Sequence, residues 1–292
     1  MPVVFDEASH RYTNEKGHEY ISVTTLIKQY TPPFDSDFWS AYKALKDILS
    51  DKGEWKSYLA KVGGWENAVL AARMDKEFKY KKEVIVRKKE YLREWDENRD
   101  NAAKAGTKFH KSREEETNKD VLFDDTFIPV IGSFDVLAHN EVASRSGKHK
   151  IANGLCTELL LYDDEFEIAG QADWVLIKEG EIFIKDYKTS KEIKMKPFAE
   201  EVLLHPLEAF PNCNFFTYSI QLSLYAYILE RAGYEISRLT IEHIDRSTFK
   251  TIATYHTEYY RDEVIKLLSH YSANKEKRVR PAVKSSPVTG AA

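Results

Sequence analysis

Asp173 lies in Gly170-Gln-Ala-Asp173-Trp-Val-Leu-Ile, and Asp186-Tyr-Lys188-Thr-Ser follows Gly180-Glu-Ile-Phe-Ile-Lys. Residues 171–177 and 181–187 are two β-rich runs separated by the turn around Lys178-Glu-Gly180, which puts the two acids on neighbouring strands. Two carboxylates converging at one sheet edge suit a hard divalent cation, because Mg²⁺ and Mn²⁺ prefer oxygen ligands. Lys188, two residues beyond Asp186, projects from the same strand face. A cation there can orient a water or stabilise charge developing on phosphorus. Alternating Asp and Lys on a strand is ordinarily a solvated sheet face. Two features argue otherwise: Ile182-Phe-Ile184 leads straight into Asp186, where an unpaired charge is costly, and the second acid arrives independently from the partner strand.

Upstream lies Ala102-Ala-Lys-Ala-Gly106-Thr107-Lys-Phe-His110-Lys-Ser-Arg-Glu114, and downstream Tyr218-Ser-Ile-Gln221-Leu-Ser-Leu-Tyr225-Ala. In the order GTxxH, GxxD, DYK, QLxxYA, these motifs resemble the RecB-like branch of the PD-(D/E)XK nuclease superfamily, over roughly residues 98–245. The earlier Ser22-Val-Thr-Thr-Leu-Ile is similar to the opening of phage relatives and of the mitochondrial genome maintenance exonuclease. The resemblance implies an α/β fold: a restriction-endonuclease-like core, a mixed central sheet flanked by helices, with a helical insertion. It implies metal-dependent hydrolysis of DNA phosphodiesters, with one or two Mg²⁺ or Mn²⁺ ions held by His110, Asp173 and Asp186 and by the carbonyl of Tyr187. Lys188 would position the attacking water. Gln221 would hold that lysine or the DNA end, and Tyr225 would brace the site. Glu158, in Thr157-Glu-Leu-Leu-Leu, matches an acidic position of the family and either binds metal or positions a neighbour.

The elements that must carry these residues are legible in outline. Ala102, Gly106, His110 and Glu114 recur at i+4 along one helix face, and the small residues allow close approach to a sheet. A lone helical histidine is ordinarily a packing or surface group; the downstream acids give this one a purpose, and its nitrogen favours Mn²⁺ alongside Mg²⁺. Gln221 and Tyr225 are one turn apart in an apolar helix, where two amphipathic side chains could equally be packing groups. Residues 3–21 predict a hairpin turning at Asn14-Glu-Lys-Gly17, with Ser22 capping a helix that Pro32-Pro33 ends. From Asp37 to about Lys119 the pattern is helical, broken near Gly53 and Gly63-Gly64, with Trp39, Tyr42, Trp55, Tyr58 and Trp65 expected in solvent. Phe127–Val142 reads as strand, Ala143–Gly154 as a basic loop and 155–188 as the catalytic meander. Strands near 238–245 and 250–256 and a helix ending near Lys275 complete the core. The expected organisation is one nuclease domain over 1–276, with a helical subdomain or arch at 34–97, the core at 98–256, and a disordered tail at 277–292.

Composition bounds the remainder. At 292 residues, 42% hydrophobic and 31% charged, the chain can build one large core or a core plus an insertion. No apolar run approaches the roughly 20 residues of a membrane helix. Met1-Pro-Val-Val-Phe-Asp lacks the basic and apolar regions of a signal peptide, so a cytoplasmic setting is expected, that of the host if the chain is phage-encoded. Cys156 and Cys213 are the only cysteines, too few for the four-cysteine iron–sulfur cluster of some RecB-like relatives. The net charge of −4 is unevenly spread: Arg73–Arg93 holds nine basic residues against four acids, interleaved with Phe78, Tyr80 and Tyr91. Such a run is ordinarily a solvated helix. Beside a nuclease centre, Lys81, Lys82, Lys88 and Lys89 become candidates for the DNA backbone, with the aromatics as stacking groups. With no G-x-x-x-x-G-K-[ST] pattern the chain cannot drive unwinding by ATP. An exonuclease acting on DNA with free or single-stranded ends fits best; the alternatives are a structure-selective flap or junction endonuclease and a non-catalytic DNA-binding recombination accessory protein. The sequence names no protein partner.

Overall fold

The computed structural model describes residues 3–116, 121–123, 126–128, 154–198 and 200–279. The N-terminal strands are β1 (Val3–Asp6), β2 (Arg11–Asn14) and β3 (Glu19–Ser22), a three-stranded meander rather than the single hairpin expected. Its additional turn is closed by Asp6, whose carboxylate accepts from Ala8 N at 2.9 Å and Ser9 Oγ at 2.7 Å. The second turn sits at Asn14, whose Oδ1 accepts from Lys16 N and His18 N, both at 3.0 Å. Ser22 caps α1 (Val23–Lys28) by accepting from Thr25 N at 3.0 Å, and α1 stops before Pro32 is reached.

The chain divides into two compact units, Pro33–Thr107 and the remainder. The first holds α2 (Ser36–Asp51), α3 (Trp55–Val62), α4 (Trp65–Met74) and most of α5 (Lys81–Glu116). Gly63, at φ +82°, ends α3 in the left-handed conformation that favours glycine. A further break at 75–80, which carries neither Gly nor Pro, was not legible in the pattern. From Lys81 the helix is continuous for 36 residues, about 54 Å, passing without interruption through residues 97 and 98. The aromatics expected in solvent are half-buried against one another: Trp39 stacks on Trp65 at 5.5 Å, and Tyr42 meets Trp55 and Trp65 edge-on at 5.7 Å. Short helices bury little area apiece, so this unit draws on aromatic bulk for its core.

The other unit is a mixed eight-stranded sheet with helices against it. Beyond the two-stranded β4 (Val121–Phe123) and β5 (Thr126–Ile128) come β6 (Gly154–Asp163), β7 (Ile168–Lys178) and β8 (Glu181–Lys188). Then follow α6 (Asn214–Arg231), β9 (Glu235–Ile244), β10 (Thr251–Thr257) and α7 (Arg261–Val279). The strand order is β1-β2-β3-β7-β8-β9-β10, with β6 on the opposite edge of β7. β3 and β7 are parallel, as are β8 and β9; the other pairs are antiparallel. This is the mixed α/β architecture expected of a restriction-endonuclease-like core. α6 is buried nearly all round, and its Leu222, Leu224 and Leu229 share one core with Leu159, Val175, Ile184 and Ile241 of the sheet and with residues of α1 and α7. α7 runs to Val279, so Lys277–Val279 are helical rather than part of a disordered tail. The expected tail beyond them, the loop 143–153 and most of the strand at 127–142 lie outside the described residues. Among the described residues no helix is long and apolar enough to cross a membrane.

Candidate active site

Two irregularities of β7 build the site. The edge of β7 facing β8 forks: Ile168 and Ala169 pair with β3, Trp174 to Lys178 pair with β8, and the stretch between has neither partner. Past the fork, Asp186, Tyr187 and Lys188 of β8 pair with β9. Asp173 therefore stands one residue beyond the last β7–β8 rung, opposite Asp186, and its Oδ2 accepts from Tyr187 N at 2.6 Å. On the other edge of β7, the β6 ladder holds Thr157 to Trp174 and Leu159 to Ala172 but omits the rung Glu158–Asp173.

At that omitted rung both strands change the face they present to α6. Cys156 and Val175 lie in the core under α6, and so do Leu159, Leu161, Ala172 and Ile168, whereas strict alternation would put Leu160 there. Glu158 takes a left-handed backbone, φ +49°, to make the change, a conformation costing a non-glycine residue about 1 kcal/mol or more. Because β7 slips at the partnered residue, the register survives on both sides. The cost places two carboxylates, Glu158 and Asp173, side by side at the mouth of the fork.

Asp186 and Lys188 keep the alternation of Ile182 and Ile184 and so point toward α6. Ser219 and Ser223 of that buried helix satisfy their hydroxyls on backbone carbonyls of their own helix, each at 2.8 Å. Gln221 instead spends its amide on the sheet: Nε2 donates to Asp186 Oδ1 at 3.0 Å and to the Tyr225 hydroxyl at 3.2 Å, and Oε1 accepts from Lys188 Nζ at 3.0 Å. Lys188 Nζ also lies 2.6 Å from Asp186 Oδ2, off the hydrogen-bonding direction, and 4.6 Å from the centre of the Tyr218 ring. Gly170 admits Tyr225: a Cβ at that position would lie 2.7 Å from Tyr225 Cε1. The glycine of GxxD and the tyrosine of the α6 motif are thus one contact. Burial pushes the Asp186 carboxyl up to about 6 against the pull of Lys188, with Asp173 adding to the rise. Burial lowers Lys188, but Asp186 and Asp173 outweigh it and hold the ammonium above its ordinary range.

His110 arrives from α5. Its neighbour Phe109 is fully buried, edge-on to Tyr187 and to Phe249 at 5.4 Å each, and Arg113 Nη2 donates to Phe249 O at 3.0 Å, so the helix is fixed at both sides of the histidine. His110 Nδ1 lies 3.4 Å from Asp173 Oδ1 and 3.5 Å from Glu158 Oε1. One ligand atom from each of the three falls within 4.8 Å of the others. Burial lowers the imidazole, but Asp173 and then Glu158 outweigh it and raise the pKa to about 10, so a proton serves as the cation between the carboxylates. One nitrogen and two carboxylate oxygens, half-buried and already gathered, fit a divalent cation with mixed nitrogen and oxygen preference. The sequence expectation grouped His110, Asp173 and Asp186 with the Tyr187 carbonyl, and left Glu158 either a ligand or a positioning group. The geometry gathers His110, Glu158 and Asp173, while both oxygens of Asp186 face Lys188 and Gln221.

No family model matches the chain, and no curated protein matches it. A solved structure, that of a provisionally assigned exonuclease from Eubacterium rectale, is similar at 14% identity with a TM-score of 0.28. The likeness covers 47% of this chain and 51% of that one, so the chain spans about half the length of the protein it matches. An overlap this small says nothing by itself about activity.

The other sequence candidates lie in the helical unit. Lys82 and Lys89 are exposed on α5, whereas Lys81 donates to Asp75 O at 3.1 Å and Lys88 pairs with Asp37. Tyr80 and Tyr91, expected as stacking groups, are buried, with their hydroxyls on Glu54 and Asp47 and with Lys79 and Lys43 over their rings. They pack this unit's interior and cannot meet a base. Phe109, Phe249 and Tyr218 were not singled out from the sequence. Phe109, inside the GTxxH string, had the only available signal: an aromatic directly before the histidine.

Proposed function

We propose that this protein is a metal-dependent deoxyribonuclease of the RecB-like PD-(D/E)XK kind, hydrolysing DNA phosphodiesters from free or single-stranded ends. The observation that carries the reading is Gln221. A buried amide that ties Lys188, Asp186 and Tyr225 together has no packing purpose that a leucine would not serve better, since buried polar groups cost stability unless paired.

His110, Glu158 and Asp173 would hold Mg²⁺ or Mn²⁺, with Asp186 and the carbonyl of Tyr187 available to complete the shell or to take a second ion. Bound there, such an ion polarises a phosphate and lowers the pKa of a coordinated water. The side chains of the chain do the rest. An ammonium has three donors. Gln221 takes one of those of Lys188, Asp186 Oδ2 stands beside the ammonium as a counter-charge, and the remaining donors are left for the attacking water or a non-bridging phosphate oxygen. Because Lys188 is desolvated and held charged, its donors act on the developing negative charge without reorganising. Tyr218 beneath the ammonium and Tyr225 behind Gln221 restrict the rotamers of both groups.

The test is cleavage of end-labelled linear single-stranded and duplex DNA, and of covalently closed single-stranded circles, with Mg²⁺ or Mn²⁺. Progressive loss from ends with resistant circles supports the exonuclease. Rapid opening of circles assigns an endonuclease. Binding without cleavage under any divalent ion leaves only an accessory protein.

A further inference from the structure

We propose that the segment Thr189–Phe198, which leaves the site directly behind Lys188, is the surface that holds the polynucleotide strand entering the fork. Lys191, Lys194 and Lys196 are all exposed, and no carboxylate among the described residues pairs with them. Between and beyond them Met195 is 49% and Phe198 62% exposed. Glu192 is the one exposed acid among them, which leaves the segment with a net charge of about +2, and unpaired cations beside exposed apolar side chains suit a strand that carries both phosphates and bases.

The strip is a fixed surface. Arg246 Nε donates to Thr189 O, and His243 Nε2 donates to Ser190 O at 2.7 Å, which assigns the proton of that buried imidazole to Nε2. Ile193 is buried. Asn214, the first residue of α6, clamps the backbone from both sides, its Oδ1 accepting from Lys194 N and its Nδ2 donating to Glu192 O, each at 2.7 Å. Phe215 N adds a bond to Lys194 O at 3.3 Å. Lys191 is three residues from Lys188, within about 10 Å along the chain, and Asn214 is two helical turns before Gln221. The same helix therefore positions the reacting lysine and the strip. Held backbone with exposed lysine heads is what phosphate tracking requires, since the charge must follow a strand without a fixed sequence.

The inference rests on the nuclease reading only for what the strand is delivered to, and its test is independent of cleavage. Binding of a fluorescent single-stranded oligonucleotide is measured by anisotropy in EDTA, across salt, for the wild type, for Lys191→Glu/Lys194→Glu/Lys196→Glu, for the same three positions changed to Arg, and for Phe198→Ala. The triple Glu variant should bind at least about tenfold more weakly at low salt, with the log–log salt slope smaller by about 2. The Arg variant should bind as the wild type does, and Phe198→Ala should lose about fivefold or more without a change in slope. Thermal melting shows that each variant is folded. Unchanged affinity and slope in the folded triple Glu variant would overturn the inference and leave the exposed Met195 and Phe198 as a protein-contact face. Wild-type protein that binds through the strip yet cuts nothing with Mn²⁺ would overturn the nuclease reading alone.

Discussion

At the fork of the sheet Asp186 is buried and Lys188 largely so, with their polar atoms turned on one another, whereas in the helical unit Lys82 and Lys89 stand in solvent and Tyr80 and Tyr91, on either side of them, are the buried groups. Both regions looked alike as sequence: charged residues interleaved with large apolar ones. They differ in what burial does to charge. A sheet interior that takes in a carboxylate and an ammonium must pair them through a third group, here Gln221, or lose several kcal/mol. A helix surface leaves its lysines hydrated at almost no cost, so their number says little about purpose. The strip behind Lys188 stands between these cases, with solvated lysines on a backbone held by the side chains of Asn214, His243 and Arg246.

Substitutions can break this comparison. The largest effect on stability is expected at Gly170→Ala, where the new Cβ meets the Tyr225 ring at 2.7 Å and must displace it together with Gln221. Overpacking of this kind costs about 1–3 kcal/mol. Thermal melting should register the loss, and cleavage should fall by more than the folded fraction does; a variant with wild-type rate and stability would uncouple Gly170 from the site.

Glu158 sharpens the contrast between stability and function. At φ +49°, Glu158→Gly should be about 1 kcal/mol more stable than Glu158→Ala, and both should bind Mn²⁺ more weakly than the wild type. Equal melting of the two would show that the left-handed backbone is not strained.

His110 gives a pH signature in the metal-free protein. Its folded pKa of about 10 lies above the ordinary 6.5, so its stabilising contribution is complete below pH 6.5 and disappears as pH rises through 10. The melting-temperature gap between the wild type and His110→Asn should be widest below pH 6.5 and close above pH 10. Mn²⁺ should flatten that dependence by displacing the proton. A gap that widens with pH would contradict the arrangement.

The smallest effect is expected at Lys82→Glu/Lys89→Glu on α5. Oligonucleotide affinity should fall by less than it does on reversing the strip. A larger loss there would return the DNA track to the helical unit.

The hairpin carrying Asp173 and Asp186 was legible because Gly180 marks its turn and two apolar runs flank it, and the Ser22 cap and the α6 pair were equally open to spacing arguments. The omitted rung at Glu158–Asp173 was not. Thr157-Glu-Leu-Leu-Leu reads as one continuous apolar strand, and nothing in it marks where the face changes. Which face of α2–α5 turns inward was likewise hidden, since aromatics and lysines occur on several sides and only tertiary packing selects between them. The order in which Gln221 joins Asp186 to Lys188 required the chain in three dimensions, because those residues are more than thirty positions apart.

The central claim is that the buried Lys188–Asp186–Gln221 group acts on a phosphodiester, and the most direct measurement is the cleavage rate of end-labelled single-stranded DNA in Mn²⁺ by the wild type and by Lys188→Met. Removing one preorganised donor of this kind typically costs about 10²–10³ in rate. Cleavage by the wild type with a loss of that size in a folded Lys188→Met variant is the predicted result, and equal rates for the two proteins would contradict it.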